Sequence, residues 1–559
     1  MRRRFAMLVF IVGIILVLGV FAATASDEPA PTSDHTGQTP PEDAEYVGQQ
    51  TCFTCHSQTH RDWDDTFHAT TIQDVSANPD IVVADFSTGE EFRTLEDGTV
   101  YTLEDVDYTI GSKYRQRFIM ETEGGYMVLP GQWMRDTENW IEFAAAPSMV
   151  EAGCVSCHGT GYNHEDKTFS EFSITCEACH GPGSTHVEMA SNLPENVDPV
   201  SDEVLAVRNS IVSTVDSNVC GQCHSVGMAP DGHPAPVGYE VGGPFDETMY
   251  VHAQPTGEMD DPFWWPNTGH NDQHFEKFPR QQWITLAGSA HGNALASIVE
   301  HDHGAEYCLP CHSTDYAFQD DTFPEDVVTM ENAQFSITCV HCHSPHGEAH
   351  IEDQLTQESY QLCVSCHTGT SSGGRPIRVG GTVHHPMREM FEGISFLNLE
   401  PNPSPHFANE AYGPICSSCH MPATARNAYF GDVATHTFQL ILPTEAVEGQ
   451  PDSCTSCHDL THDELTPEDL TFYVEEIQAD TEDRLADLRA DLEEIQSAHP
   501  EWESDAEDKS ELQQMSERVH TLLSFVEADG SLGVHNPGYT DDILTEAEDL
   551  LDEMFEMEE

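Results

Sequence analysis

The sequence predicts a mainly α fold with much irregular structure, a small antiparallel β insertion and a C-terminal helical hairpin. Three observations predict it. Cys-x-x-Cys followed at once by His occurs nine times and uses all 18 cysteines. Only 38% of the residues are hydrophobic, low for 559 residues, while glycine (39) and proline (33) are frequent. Apolar residues recur at clear helical spacing only in the last hundred positions.

The nine motifs are Cys52/Cys55–His56, Cys154/Cys157–His158, Cys176/Cys179–His180, Cys220/Cys223–His224, Cys308/Cys311–His312, Cys339/Cys342–His343, Cys363/Cys366–His367, Cys416/Cys419–His420 and Cys454/Cys457–His458. This is the attachment signature of c-type haem: two thiols add to the vinyl groups of one porphyrin, and the adjacent imidazole binds its iron. A disulfide framework or structural zinc has no use for a histidine after every second cysteine. The chain therefore reads as a scaffold for nine covalent haems. Porphyrins are large apolar bodies, and they would replace the missing side-chain core.

Along the chain, Met1-Arg2-Arg3-Arg4 precedes an apolar run from Phe5 to Ala23, and Ala23-Thr24-Ala25 has the form of a signal-peptidase site. Residues 1–25 are read as a signal peptide or an N-terminal membrane anchor, the length of the run tipping towards the anchor. Residues 26–45 are rich in Pro, Thr, Ser and acid, an acidic flexible tether. Residues 46–215 form an N-terminal haem domain with motifs one to three. Its cysteine-free stretch at about 81–143 holds Asp97-Gly98 and Gly124-Gly125 between β-forming runs, hence the insertion. Residues 216–300 carry motif four and a connecting segment, and residues 301–465 carry motifs five to nine. In 466–559, Val474, Ile477, Leu485, Leu488, Leu492 and Ile495 share one helical face that ends at Pro500. A second helix spans about 505–526, and a third begins near Thr540.

Asp and Glu number 98 against 21 Lys and Arg, a formal net charge of −77, and the only lysines are Lys113, Lys167, Lys277 and Lys509. No basic patch exists for nucleic acid. The acid is spread over the whole chain, which points to adaptation to high salt rather than to one docking patch.

A proximal histidine leaves one axial site of each iron open, and a second histidine there makes a low-spin electron carrier. Of 32 histidines, 23 lie outside the motifs, an excess that ligand supply explains. Context singles out His68, His186, His291, His346, His385, His406, His436 and His535. His385 is chosen over His384, and His346 over His350. His535 lies in Gly533-Val534-His535-Asn536-Pro537, a break between helices.

Cys154 to His158-Gly159-Thr160-Gly161, followed by Ile174-Thr175-Cys176-Glu177-Ala178-Cys179-His180 and His186, resembles the haem-pair region of the tetrahaem cytochromes of ammonia oxidisers. Cys416-Ser417-Ser418-Cys419-His420-Met421-Pro422 with His436-Thr437-Phe438, and the helical C-terminus with His535, resemble the pentahaem nitrite reductases and octahaem hydroxylamine oxidoreductases. The resemblance covers most of residues 46–559. It implies packed haem pairs, mostly bis-histidine, with distal ligands from remote segments. The nitrite reductases place lysine in a Cys-x-x-Cys-Lys motif; none of the four lysines here follows a cysteine pair, which speaks against that site. Nothing in the sequence points to the tyrosine-cross-linked haem of hydroxylamine oxidation.

The leading expectation is an exported electron carrier in a respiratory pathway, periplasmic or on the outer face of the cytoplasmic membrane. Its partners would be redox proteins: a quinol-linked donor, and a terminal reductase or external acceptor. The alternatives are an oxidoreductase with one open haem acting on a small nitrogen or sulfur compound, and a subunit of an extracellular cytochrome filament. The charge makes a direct prediction. Molar salt shrinks the reach of carboxylate repulsion to about 3 Å. Dialysis into dilute buffer is therefore expected to weaken haem-region circular dichroism and lower the melting temperature. A melting temperature equal in both solutions would remove the high-salt reading.

Overall fold

A computed structural model describes residues 39–150, 153–245, 248–266, 274–300, 304–319, 327–409, 416–424, 433–458, 465–502 and 509–558. The apolar segment and the tether up to residue 38 lie outside the described residues. Among the described residues no helix is long and apolar enough to cross a membrane. The fold is mixed, with 36% of the described residues helical, small antiparallel sheets and long irregular connections. Most attachment motifs sit on helices of four to six residues, such as Cys176–His180 and Cys416–His420.

The β insertion is present but begins earlier than its sequence signals suggest. Strands β1 (Ile72–Asp74), β2 (Tyr108–Ile110), β3 (Arg115–Thr122), β5 (Gln132–Met134) and β6 (Asn139–Ile141) pair in that order, and β4 (Gly125–Val128) also pairs with β3. The β3–β4 hairpin closes at Thr122↔Gly125, with Gly125 at φ 107, a conformation that glycine adopts without strain. Asp97-Gly98 makes a tight turn too, but it closes only the single bridge Thr94↔Val100. Alternation along β3 sends Phe118 to one cluster with Tyr101, Leu129, Trp133 and Trp140, and Ile119 to another with Ile72, Ile110 and Val128. Val155 and Cys154 of the second motif pack into that second cluster. The sheet thus serves as the platform on which motif two sits.

The described end of the tether is docked rather than free. Glu45 N–H donates to Ser184 Oγ at 2.8 Å, and the Val47 and Gly48 N–H groups donate to the buried Glu177 carboxylate at 2.9 and 2.8 Å. Gly183 N–H donates to the same carboxylate. Backbone donors gathered on one carboxylate remove the cost of burying its charge.

At the C-terminus, α1 (Pro467–Ala498), α2 (Glu511–Asp529) and α3 (Pro537–Glu558) make a three-helix unit, the third helix starting three residues before the expected Thr540. Thr466 and Asp469 form a capping box at the start of α1, with Pro467 at its first position. Gly530, at φ 74, ends α2 in the left-handed conformation. Leu485, Leu488, Leu492 and Ile495 of the predicted stripe are buried against Val519, Leu522 and Val526 of α2 and Ile543, Leu544 and Leu551 of α3. Val474 and Ile477, earlier on the same face, instead line the central cavity. One helix therefore serves two cores. Leu522 is fully buried, and Leu522→Ala is expected to cost about 2–5 kcal/mol. Urea unfolding followed by far-UV circular dichroism measures it; a loss below about 1 kcal/mol would show that this core does not bear on stability.

Candidate haem-binding centre

A continuous cavity of about 3580 Å³ runs through the molecule, and every motif from the second to the ninth contributes cysteine or histidine to its wall. All 18 cysteines are free thiols, with no disulfide competing for them. The residues fit haem on three further counts: the spacing of imidazoles, their tautomers and their charge.

Motif one lies outside the cavity wall. Cys55, read from the sequence as a haem-attaching residue together with Cys52, is exposed, while Cys52 is half-buried, and neither lines the cavity. The cause is local. The helix Gln49–Phe53 ends between the two cysteines, and Cys55 follows in a turn, its N–H donating to Cys52 O at 3.1 Å. That turn turns Cys55 outward at the molecular edge. Cys419 and Cys457 are exposed as well, but both line the cavity. A haem attached at Cys55 would therefore have that edge in solvent, with only its Cys52 side covered by protein.

Two imidazoles on one metal, held by bonds of about 2 Å, have ring centres about 6 Å apart. That spacing recurs between a motif histidine and a remote one. His56 faces His186 at 6.3 Å, His180 faces His346 at 6.0 Å, and His224 faces His68 at 6.3 Å. His343 faces His436 at 6.4 Å, His420 faces His535 at 6.1 Å, and His458 faces His406 at 6.2 Å. His312 has two partners, His384 at 6.2 Å and His385 at 6.3 Å, and the ligand atoms of all three lie within 4.8 Å of one another. His367 also has two, His291 at 5.8 Å and His385 at 5.7 Å. Each of the eight histidines singled out from the sequence thus lies opposite a motif histidine. His384 is the competitor that sequence context passed over. Neighbouring residues in one segment cannot be ranked as ligands until the backbone turns them, and His385 takes φ 50 here.

The tautomers are set by hydrogen bonds. A carbonyl oxygen only accepts, so Nδ1 must carry the proton and Nε2 keeps its lone pair for a metal. Nδ1 of His180 donates to Val212 O at 2.7 Å, that of His186 to Val207 O at 3.0 Å, and that of His312 to Ala294 O at 3.0 Å. His343 uses Asp353 O at 2.9 Å, His420 uses Phe438 O at 3.2 Å and His436 uses Ala434 O at 3.2 Å. His535 differs, with Nδ1 2.7 Å from the Asp529 carboxylate. Burial works against its charged form, yet Asp529 prevails and its pKa is raised. Sequence reasoning had no signal for Asp529, which comes from the end of α2.

Burial keeps most of the other imidazoles neutral, the form that binds metal. It pushes His224 and His436 down to about 4 and His385 to about 3. His158 is pushed down to about 4, by burial first and then by Arg117, Arg280 and Arg115 nearby. It stands apart from the other motif histidines. Among the described residues no second histidine ring faces it, and its Nδ1 is buried without a hydrogen-bond partner. Arg280 Nη1 donates to Cys157 Sγ of the same motif at 3.5 Å.

Residues 383–553 match the cytochrome c552 family model, 333–372 the doubled CXXCH motif and 134–181 cytochrome c554 and c-prime. No curated protein matches the chain. Among solved structures, the outer cell wall cytochrome OcwA is similar over 90% of this chain and 99% of its own, with 28% identity and a TM-score of 0.73. The undecahaem cytochrome from the S-layer of Carboxydothermus ferrireducens is similar over 92% of this chain and 70% of its own, with 22% identity and a TM-score of 0.55. Free Cys-x-x-Cys thiols, remote histidines facing motif histidines and these family matches lead to one conclusion: the chain belongs to the multihaem c-type cytochrome superfamily and binds haem c covalently.

Proposed function

We propose that the protein is an exported electron carrier loaded with nine haems, eight of them held by two histidines. The single observation that carries this reading is the recurrent ~6 Å pairing of a motif imidazole with a remote one. The pairs are His56–His186, His180–His346, His224–His68, His312–His385, His343–His436, His367–His291, His420–His535 and His458–His406. Haem iron supplies the one-electron chemistry. The chain's own residues fill the sixth position of those irons, which keeps small molecules off them. Similarity to an outer cell wall cytochrome supports a place outside the cytoplasm, and the acidic surface supports a high-salt setting. Redox proteins are the partners this reading requires.

His158 favours a second reading at one site. With no facing imidazole among the described residues, motif two would hold an open iron and could act on a small nitrogen or sulfur compound.

Intact mass before and after haem attachment is expected to differ by nine haems, and the reduced protein is expected to bind one carbon monoxide. A smaller mass difference means that a motif is unused. No carbon monoxide binding would overturn the open site at motif two, and binding well above one per chain would overturn the pairing.

His535→Ala should turn a second haem high-spin and raise carbon monoxide binding to two per chain, with the three-helix core intact by far-UV circular dichroism. A low-spin spectrum with binding still at one would show that His535 is not a ligand. Asp529→Asn keeps a hydrogen-bond acceptor but removes its charge, which weakens the basicity of the imidazole. One haem potential is therefore expected to shift upward; potentiometry that finds every potential unchanged would exclude Asp529 from tuning that site.

A further inference from the structure

We propose that His384 and His385 are exchangeable ligands, and that His385 is shared between the irons of motifs five and seven. The proposal rests on the reading that both motifs are loaded and closed by two histidines. Three remote rings stand opposite two motif rings here. His312 is faced by His384 at 6.2 Å and by His385 at 6.3 Å, with ring planes 22° and 29° from its own. His367 is faced by His291 at 5.8 Å and by His385 at 5.7 Å. Two axial positions need two rings, so one of the three remote rings is left over in every arrangement. The ligand atoms of His312, His384 and His385 lie within 4.8 Å of one another, and the rings of the two neighbours are 3.9 Å apart. Both neighbours reach one position, and they cannot fill it together.

The backbone holds the two neighbours between fixed points. Before them, Thr382–Val383 pairs with Arg378–Val379, and Val383 is buried in the core of the C-terminal helices. After them, the helix Met387–Glu392 buries Met390 in the same core. The same segment is bound to motif seven. Arg388 N–H donates to His367 O at 3.0 Å. Gly369 N–H and the Thr368 hydroxyl donate to the Glu389 carboxylate at 2.8 and 2.6 Å. Pro386 packs so closely on Gly369 that a Cβ there would stand 2.9 Å from Pro386 Cβ. The segment that faces His312 therefore also carries His385 to His367.

Two features leave the rings free to exchange. His385 takes φ 50, a left-handed conformation that costs an L side chain, and it precedes a proline, which favours extended backbone. Relaxing that residue withdraws its ring from one position. His384, whose N–H donates to Ile377 O at 2.9 Å, stays in place to fill it. The ring of His291 is not pinned either. Carbonyls hold Nδ1 of His186 and His436, whereas Nδ1 of His291 is buried with no partner among the described residues. Exchange moves one neutral imidazole off as another takes its place, and it consumes no proton or electron. With His385 at motif five, His291 closes motif seven and His384 is spare. With His385 at motif seven, His384 closes motif five and His291 is spare. Both irons stay closed to small molecules in either case.

Carbon monoxide binding to the reduced, loaded protein and its variants tests the exchange, with intact mass counting the haems in each. His385→Ala is expected to bind no more carbon monoxide than the unsubstituted chain, because His384 and His291 remain; a fixed His385 would add one per chain, as at His535. His384→Ala/His385→Ala is expected to add one. So is His291→Ala/His384→Ala, since His385 then serves a single iron. His291→Ala alone is expected to keep both irons low-spin and to shift one low-spin paramagnetic resonance signal, as the ring planes at motif seven change from 89° to 64°. Extra carbon monoxide in His385→Ala or His291→Ala would overturn the exchange and leave closure by two histidines standing. No extra carbon monoxide in the double variants, at unchanged haem mass, would overturn closure by these rings and the exchange with it.

Discussion

Much of this structure depends on the geometry of two imidazoles meeting one metal. The rings must stand about 6 Å apart, both must be neutral, and each must turn Nε2 towards the other. A motif supplies one ring within a short helical turn. The other must come from elsewhere: His346 lies opposite His180, and His68 opposite His224. Each pair therefore ties distant segments together, doing for this chain what apolar contacts do for a chain with more hydrophobic residues. The continuous cavity is the counterpart of that arrangement. Its walls carry cysteines or histidines of eight motifs, and porphyrins held there would supply the apolar volume.

Side-chain cores exist where haem does not reach. The β sheet buries Trp133, Trp140 and Phe118 on one face and Ile110, Ile119 and Val128 on the other, and motif two packs on that second face. The C-terminal helices bury Leu492, Val519 and Ile543 among themselves. Their joint between α2 and α3 is pinned by Asn536, whose amide donates to Met390 O at 3.0 Å and Asn402 O at 2.7 Å. That pinning holds His535 at the cavity wall rather than on a helix surface.

In so acidic a chain the placement of the few cations is informative. Arg484 bridges α1 to Asp541 and Glu548 of α3, and Arg489 bridges it to Glu527 of α2. Such exposed pairs are each worth little, but they offset repulsion where three acidic helices pack. Arg115, Arg117 and Arg280 gather instead near His158. The electrostatic surroundings of motif two thus differ from those of motif eight, where Asp529 sits on His535.

The sequence by itself determined the cofactor class, because covalent attachment requires a fixed local pattern that no folding event can alter. It also marked the remote histidines that face the motif histidines, since rings supplied from outside the motifs leave an excess in composition, and the helix break around His535 was legible there too. Apolar periodicity was enough for α1, where Leu485 to Ile495 keep strict spacing. Tertiary structure decided what depends on approach between remote segments. The strand at Ile72 pairs with Ile110 and carries no alternation of its own. Nothing in the shared Cys-x-x-Cys-His pattern distinguishes Cys55, Cys419 and Cys457 as exposed, because what covers a thiol comes from other parts of the chain. His384 and His385 are chemically identical neighbours until the fold turns both towards His312. That no histidine among the described residues faces His158 is likewise a matter of neighbours, and a linear string of residues does not record who its neighbours are.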